Sequence, residues 1–319
     1  MHEADIIARV RQFPHFHPEI VIGVGDDAAV LSPHKAQRWV WTTDLLIEDV
    51  HFRRHYFTPE QLAWKSLAVN LSDIAAMAGE PVAFTLSLGL PVDIPDQWVE
   101  RFLAALETLS HSWQVELAGG DTVRSPHGLV IGIGILGKTD HPVLQQGASA
   151  GDILMVSGTF GGAAAGLYCL EQGLDSHHAF QQSLRQPIPR LREARQLAET
   201  CHGRLTLTDA SDGLARALQL LCAGGVGCTV DLERIPLPTE LATLARQAGI
   251  PLWDWVLQGG EDYELVAAIK PESQTQAEVS GWIAIGCISE TPEICLLQAG
   301  QRFQVLSRPA GFQHFKRKI

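Results

Sequence analysis

Apolar residues at helical spacing over residues 3–13, ended by Pro14, predict a short amphipathic helix. Short apolar runs then predict strands over 20–24, 28–31 and 38–43. Thr58-Pro59 is a helix start, with the hydroxyl as cap and proline in the first turn, and Gly79 is the matching stop. On that helix Asn70 and Asp73, three apart, share one face, and the small Ala75, Ala76 and Ala78 leave room for close backbone approach. A strand is predicted over 84–88, a helix over 98–109, a strand over 115–117 running into Gly119-Gly120-Asp121, and a valine- and isoleucine-rich strand over 128–137. Residues 138–152, punctuated by Pro142, Gly147 and Gly151, read as a connection. Beyond it, strands are expected over 153–157, 205–207, 227–232, 263–269 and 282–287. Helices are expected over 163–171, 177–184, 191–200, 214–222 and 238–247. The order suits layered α+β domains better than a barrel or a bundle. It divides into an N-terminal domain over 1–137, the connection over 138–152 and a C-terminal domain over 153–319.

Length agrees, since 319 residues exceed one ordinary core and suit two domains of about 150 each. With 46% apolar and 19% charged residues the chain reads as globular, and a net charge of -12 excludes a nucleic-acid or anionic-membrane surface, which need clustered Lys and Arg. Six cysteines without a Cys-x-x-Cys pair read as reduced thiols. Glu3 and Asp5 precede any apolar run, and no run reaches membrane-spanning length, so a cytoplasmic protein is expected.

Two motif matches are set aside. Gly132-x4-Gly137-Lys138-Thr139 fits a phosphate-loop pattern but lies inside a predicted strand instead of opening a helix, and Gly23-x-Gly25-x-x-Ala28 imitates a dinucleotide fingerprint whose Asp26-Asp27 would repel a pyrophosphate. Acids set in apparent turns carry the chemistry. Gly25-Asp26-Asp27 sits between two apolar runs, and two carboxylates that close repel by about 1 kcal/mol in water and more in a dried site. Similar turns recur at Thr42-Thr43-Asp44, Ser72-Asp73, Gly119-Gly120-Asp121, Asp209-Ala210-Ser211-Asp212 and Gly259-Gly260-Glu261-Asp262. Any one acid alone reads as a turn or a helix cap. The set points to Mg²⁺, which takes carboxylate oxygens and is shared with substrate phosphates, and so to phosphoryl transfer.

These motifs, in order and spanning most of the chain, with Val50-His51-Phe52, Ala68-Val69-Asn70-Leu71-Ser72-Asp73 and Gly259-Gly260-Glu261-Asp262-Tyr263, resemble the thiamine-monophosphate kinases of the aminoimidazole-ribonucleotide-synthetase-like superfamily. The resemblance implies ATP-dependent phosphorylation of thiamine monophosphate to thiamine diphosphate with several Mg²⁺ ions. It also implies a homodimer whose N-terminal sheets join, with ATP in a cleft near that interface. It assigns Asp27, Thr42, Thr43, Asp44, Asp73, Asp121, Asp209 and Asp212 to the metal shell, with Asp44, Asp121 and Asp212 central to catalysis. Gly120, Asp121 and Ser211 would meet the nucleotide, and His51, Glu261 and Phe312 the thiamine phosphate. Read from residue type alone, the last three also fit a satisfied strand histidine, a turn acid and a core plug. Gln145 stands where the family places an arginine toward the ATP phosphates, and Lys138 or a further metal is the substitute for that charge. The acceptor is a phosphate monoester with a second pKa near 6, largely dianionic at neutral pH, so no general base is required. The nearest rivals are a selenophosphate synthetase, a purine-pathway ligase and a hydrogenase-maturation dehydratase, of which the first and the last differ in cysteine placement. A selenophosphate synthetase would carry a reactive Cys near its start, and a hydrogenase-maturation dehydratase a Cys at its end, whereas the first Cys here is Cys169 and residue 319 is Ile. A metal-binding protein that keeps the acids without catalysis is the reading from a different class.

Overall fold

The computed structural model describes residues 20–22, 29–31 and 37–306; the expected helix over 3–13, the Gly25-Asp26-Asp27 turn and Phe312 lie outside them. The N-terminal half contributes β1 (Ile20–Ile22), β2 (Ala29–Leu31), β3 (Arg38–Ile47), α1 (Pro59–Ala76), β4 (Glu80–Leu90), α2 (Asp96–Trp113), β5 (Glu116–Arg124) and β6 (Val130–Thr139). Its strands form a six-stranded sheet in the order β1-β2-β3-β6-β4-β5, antiparallel except where β5 runs parallel to β4. The C-terminal half follows with β7 (Ile153–Val156), α3 (Gly162–Glu171), α4 (His178–Arg185), α5 (Leu191–Thr200), β8 (Leu205–Asp209), α6 (Leu214–Leu221) and β9 (Gly227–Asp231). It closes with α7 (Leu241–Ala248), α8 (Leu252–Gln258), β10 (Leu265–Ile269), α9 (Gln274–Val279), β11 (Ile283–Ser289), β12 (Ile294–Gln298) and β13 (Gln301–Val305). These strands form a seven-stranded sheet, β13-β12-β9-β11-β7-β10-β8.

The two sheets meet over α1. Thr58 starts it with a full capping box: its hydroxyl accepts from the Gln61 N–H, and the Gln61 side chain accepts from the Thr58 N–H at 2.9 Å. Nearly every face of α1 is buried, because one side packs on β3 and β6 and another on β8 and α5. Its last turn places Ala75 and Ala76 against Met155, Leu207 and Leu265 of the second sheet, and small side chains permit that approach.

Two expectations about local structure are corrected. Thr42-Thr43-Asp44 is not a turn at a strand end but the middle of β3, paired with β6 along its whole length from Arg38↔Thr139 to Ile47↔Val130. Ladder hydrogen bonds outweigh three consecutive polar side chains. Gly119-Gly120-Asp121 likewise lies within β5, where a Cβ on Gly120 would stand 1.8 Å from the Leu86 carbonyl oxygen, so only glycine lets the two strands pair. Lys138 sits inside β6, with no helix following, consistent with setting the phosphate-loop match aside. Among the described residues the six cysteines are free, and no helix is long and apolar enough to cross a membrane.

Candidate active site between the two sheets

Strand periodicity decides which of the expected ligands meet. On β3, Thr42 and Asp44 point with buried Val40 and Leu46 toward α1, while Thr43 points the other way with exposed Trp41 and Leu45. One face of α1 answers the first group: the Thr42 hydroxyl donates to Asp73 Oδ2 at 2.5 Å, and the Asp44 backbone N–H donates to Asn70 Oδ1 at 3.0 Å. One residue further round the helix, the Ser72 hydroxyl donates to Asp209 Oδ2 at 2.7 Å, where β8 ends. Helix α1 therefore joins the acids of one sheet to those of the other.

The turn after β8 carries Ser211 and Asp212, and the loop after α8 carries Glu261, whose N–H donates to the Ser211 carbonyl at 2.7 Å. Asp44, His51, Ser211, Asp212, Glu261 and Tyr263 line one cavity of ≈ 380 Å³. His51 reaches it from the tight turn after β3, where its Nδ1 accepts from the Ile47 N–H at 3.0 Å. With Nδ1 an acceptor, the neutral ring carries its proton on Nε2, which makes His51 a donor.

The electrostatics are those of acids buried together. Burial first, then repulsion from Asp212, raises Asp44 from 3.8 to about 6. Asp209 rises from 3.8 to about 7, through burial and then the charges of Asp44 and Asp212, against which work the hydroxyl of Ser72 and a backbone hydrogen bond. Burial raises the Tyr263 phenol, and Glu261, Asp44, Asp209 and Asp73 raise it further, so the acids share one field. Clustered carboxylate and hydroxyl oxygens, with two of the carboxyls raised by burial and by neighbouring charge, suit a hard divalent cation. Among the described residues no group of three or more His, Cys, Asp or Glu side chains is gathered closely enough to hold a metal ion by itself.

Several expected residues stand elsewhere. Thr43 turns its hydroxyl to the Ile133 carbonyl at 3.0 Å, away from Asp44. Asp121 is in register with Ser87, Gly132 and Leu45 across the sheet, so its exposed side chain lies on the face opposite Asp44. Three strand spacings put it about 14 Å from β3. Gly120 lies beside it in β5. Gln145 is buried, with its amide donating to the Thr208 hydroxyl at 3.4 Å beside β8. Lys138 pairs with Glu80 at 3.8 Å and lines a larger cavity of ≈ 640 Å³ with His141, Arg195 and His202. Its register lies five residues along β6 from the partner of Asp44, about 17 Å away. The acidic run 259–262 also divides: Glu261 faces the cavity, whereas Asp262 accepts from the Gly161 and Ala163 N–H groups at 2.7 and 3.0 Å and holds the start of α3. Two residues of the site carry roles that the sequence motifs did not assign, Ser72 behind Asp209 and Lys65, fully buried, 2.8 Å from Glu261. A lysine inside the apolar run 62–69 was the available signal.

Residues 25–139 match the model of the AIR synthase related protein N-terminal domain, and residues 149–280 that of its C-terminal domain. The chain is 31% identical over 333 aligned positions to the thiamine-monophosphate kinase of Bacillus subtilis (strain 168), covering 99% of this chain and 100% of that one. It is 36% identical to that of Salmonella typhimurium, over 77% of this chain and 76% of that one. The solved structure described as AaThiL complexed with AMPPCP and TMP superposes with a TM-score of 0.84 at 29% identity, covering 98% of this chain and 97% of that one. A second, of the thiamine monophosphate kinase from Aquifex aeolicus, gives 0.80 at 27% identity, over 94% of this chain and 97% of that one. With both domains matched and this identity carried over nearly its whole length, the chain belongs to the thiamine-monophosphate kinase family.

Proposed function

We propose that the protein phosphorylates thiamine monophosphate to thiamine diphosphate with ATP, by direct transfer in the cavity between the two sheets. The observation that carries the reading is the meeting of Asp44 and Asp212 with His51 and Glu261 around that one cavity, in a chain of this family. Thr42, Asp44, Asp73, Asp209 and Asp212 would hold Mg²⁺, with Asp27 as a further ligand. Bound Mg²⁺ neutralises the charge on the transferring phosphoryl group. Ser211 sits at the nucleotide end. His51 donates from Nε2 to the acceptor phosphate, and Glu261 accepts from the aminopyrimidine. Phe312 is assigned to the thiamine ring. A dianionic acceptor is already nucleophilic, so His51 is assigned no role as a base.

A homodimer completes this reading. The outer face of the first sheet leaves Trp41 57%, Leu45 51%, Leu117 49% and Val123 56% exposed, and among the described residues β5 is an edge strand of that sheet. A second copy covering that face supplies Asp121, with Gly120 beside it, to the neighbouring site, since Asp121 faces away from Asp44 in its own chain. Incubating the purified protein with MgATP and thiamine monophosphate should yield thiamine diphosphate and ADP in equal amounts. ADP release independent of thiamine monophosphate, or none at all, refutes the assignment.

A further inference from the structure

Helix α1 buries one lysine completely. Lys65 is 0% exposed, and an ammonium taken out of water costs several kcal/mol unless it is paired and hydrogen-bonded. Its Nζ lies 2.8 Å from Glu261 Oε1, donates to the Leu184 carbonyl at 3.1 Å and stands 5.7 Å from the centre of the Phe57 ring. Glu261, Leu184 and Phe57 all line the cavity that holds His51 and Asp212. The ammonium therefore forms the back of the cavity wall without entering the cavity.

Glu261 is gripped at both ends. Its backbone is left-handed, with φ of 60°, and is tied through its N–H to Ser211, while its carboxylate is tied through Oε1 to Lys65. That leaves Oε2 as the acceptor for a ligand. A glutamate held this way has lost its rotamer freedom before the ligand arrives, so the ligand's hydrogen bond need not bear that ordering cost. The ion pair also joins α1 to the loop after α8, so the two halves of the chain fix the carboxylate together.

We propose that Lys65 is a positioning residue for the thiamine end of the site: its buried ammonium orients the Glu261 carboxylate for the aminopyrimidine and contributes nothing to ATP. This rests on the assignment of Glu261 above. The test compares Lys65→Met, Lys65→Gln, Glu261→Gln and the double variant Lys65→Met/Glu261→Gln by KM and kcat for each substrate. Losing one member of a buried charge pair should raise KM for thiamine monophosphate on the order of tenfold, leave KM for ATP within about twofold, and add less than about twofold in the Glu261→Gln background. Should Lys65→Met not fold, Lys65→Gln, which keeps a donor for the Leu184 carbonyl, is read by the same split between the two KM values. Equal losses for both substrates, full additivity in the double variant, or an unchanged KM in a folded Lys65 variant when Glu261→Gln raises it, overturns the role of Lys65 alone. An unchanged KM in Glu261→Gln overturns the assignment of Glu261, and the proposal with it.

Discussion

Removing a carboxylate from the centre of this site should make the metal-free protein more stable. Asp209 is 5% exposed, and its carboxyl is raised from 3.8 to about 7, burial being the main cause, followed by the charges of Asp44 and Asp212. At pH 8 the group is ionised in the folded and the unfolded chain alike. A rise of this size then corresponds to an upper bound on the order of 4 kcal/mol of stability forgone, at about 1.4 kcal/mol per pH unit. Asparagine keeps an oxygen for the Ser72 hydroxyl, 2.7 Å away, and carries no charge. Local relaxation and water reduce the bound, so Asp209→Asn should gain about 1–2 kcal/mol at pH 8 and raise Tm by about 2–4 °C. For a raised carboxyl the stabilising contribution is complete below the unfolded value of 3.8 and is lost as pH rises through about 7. The native protein without Mg²⁺ should therefore lose Tm between about pH 5 and 8 more steeply than the variant. Adding Mg²⁺ at pH 8 should invert the order, stabilising the native chain and leaving Asp209→Asn nearly unmoved. The assay is thermal unfolding of both proteins at pH 5.5, 7 and 8, with EDTA and with MgCl₂. A lower Tm for Asp209→Asn in EDTA at pH 8, or equal pH slopes, refutes the electrostatic reasoning.

Three further outcomes follow from the geometry. Asp44→Asn should abolish turnover while keeping Tm in EDTA at or above that of the native chain, because it too removes a raised carboxylate; ADP release coupled to thiamine diphosphate formation and thermal unfolding read the two effects separately. Arg190→Met should cost about 3–5 kcal/mol in denaturant unfolding, since Arg190 binds both oxygens of the buried Glu264 carboxylate at 2.7 and 2.5 Å, and the Ser157 hydroxyl at 2.6 Å cannot neutralise it. Gly166→Ala should destabilise by about 1–3 kcal/mol by the same measurement, because a Cβ there would lie 2.1 Å from the Phe180 carbonyl oxygen and force α3 from α4.

Local chemistry in the sequence was enough for the elements whose signals are local. Thr58-Pro59 with Gln61 specifies the start of α1 by caps that work in isolation, and the helix over 191–200 follows from its own periodicity. The order of acidic motifs likewise identified the family, because residue types and their order survive without coordinates. Short elements with little amphipathic pattern were missed: α8 at Leu252–Gln258, which burial of Trp255, Val256 and Leu257 stabilises more than propensity does, and the β12–β13 hairpin, whose exposed β13 is held by its ladder to β12. Only the fold decided which acids meet. Alternation along β3 sends Asp44 inward and Thr43 outward, two adjacent residues with similar sequence signals. Register across four strands puts Asp121 on the far face, and the loop after α8 parts Glu261 from Asp262. The pairing of Lys65 with Glu261 spans 196 positions of sequence, 65 to 261, and nothing local encodes it. It exists because α1 is the helix that both sheets close upon, and a lysine buried there is stable only where the other half of the chain brings it a carboxylate.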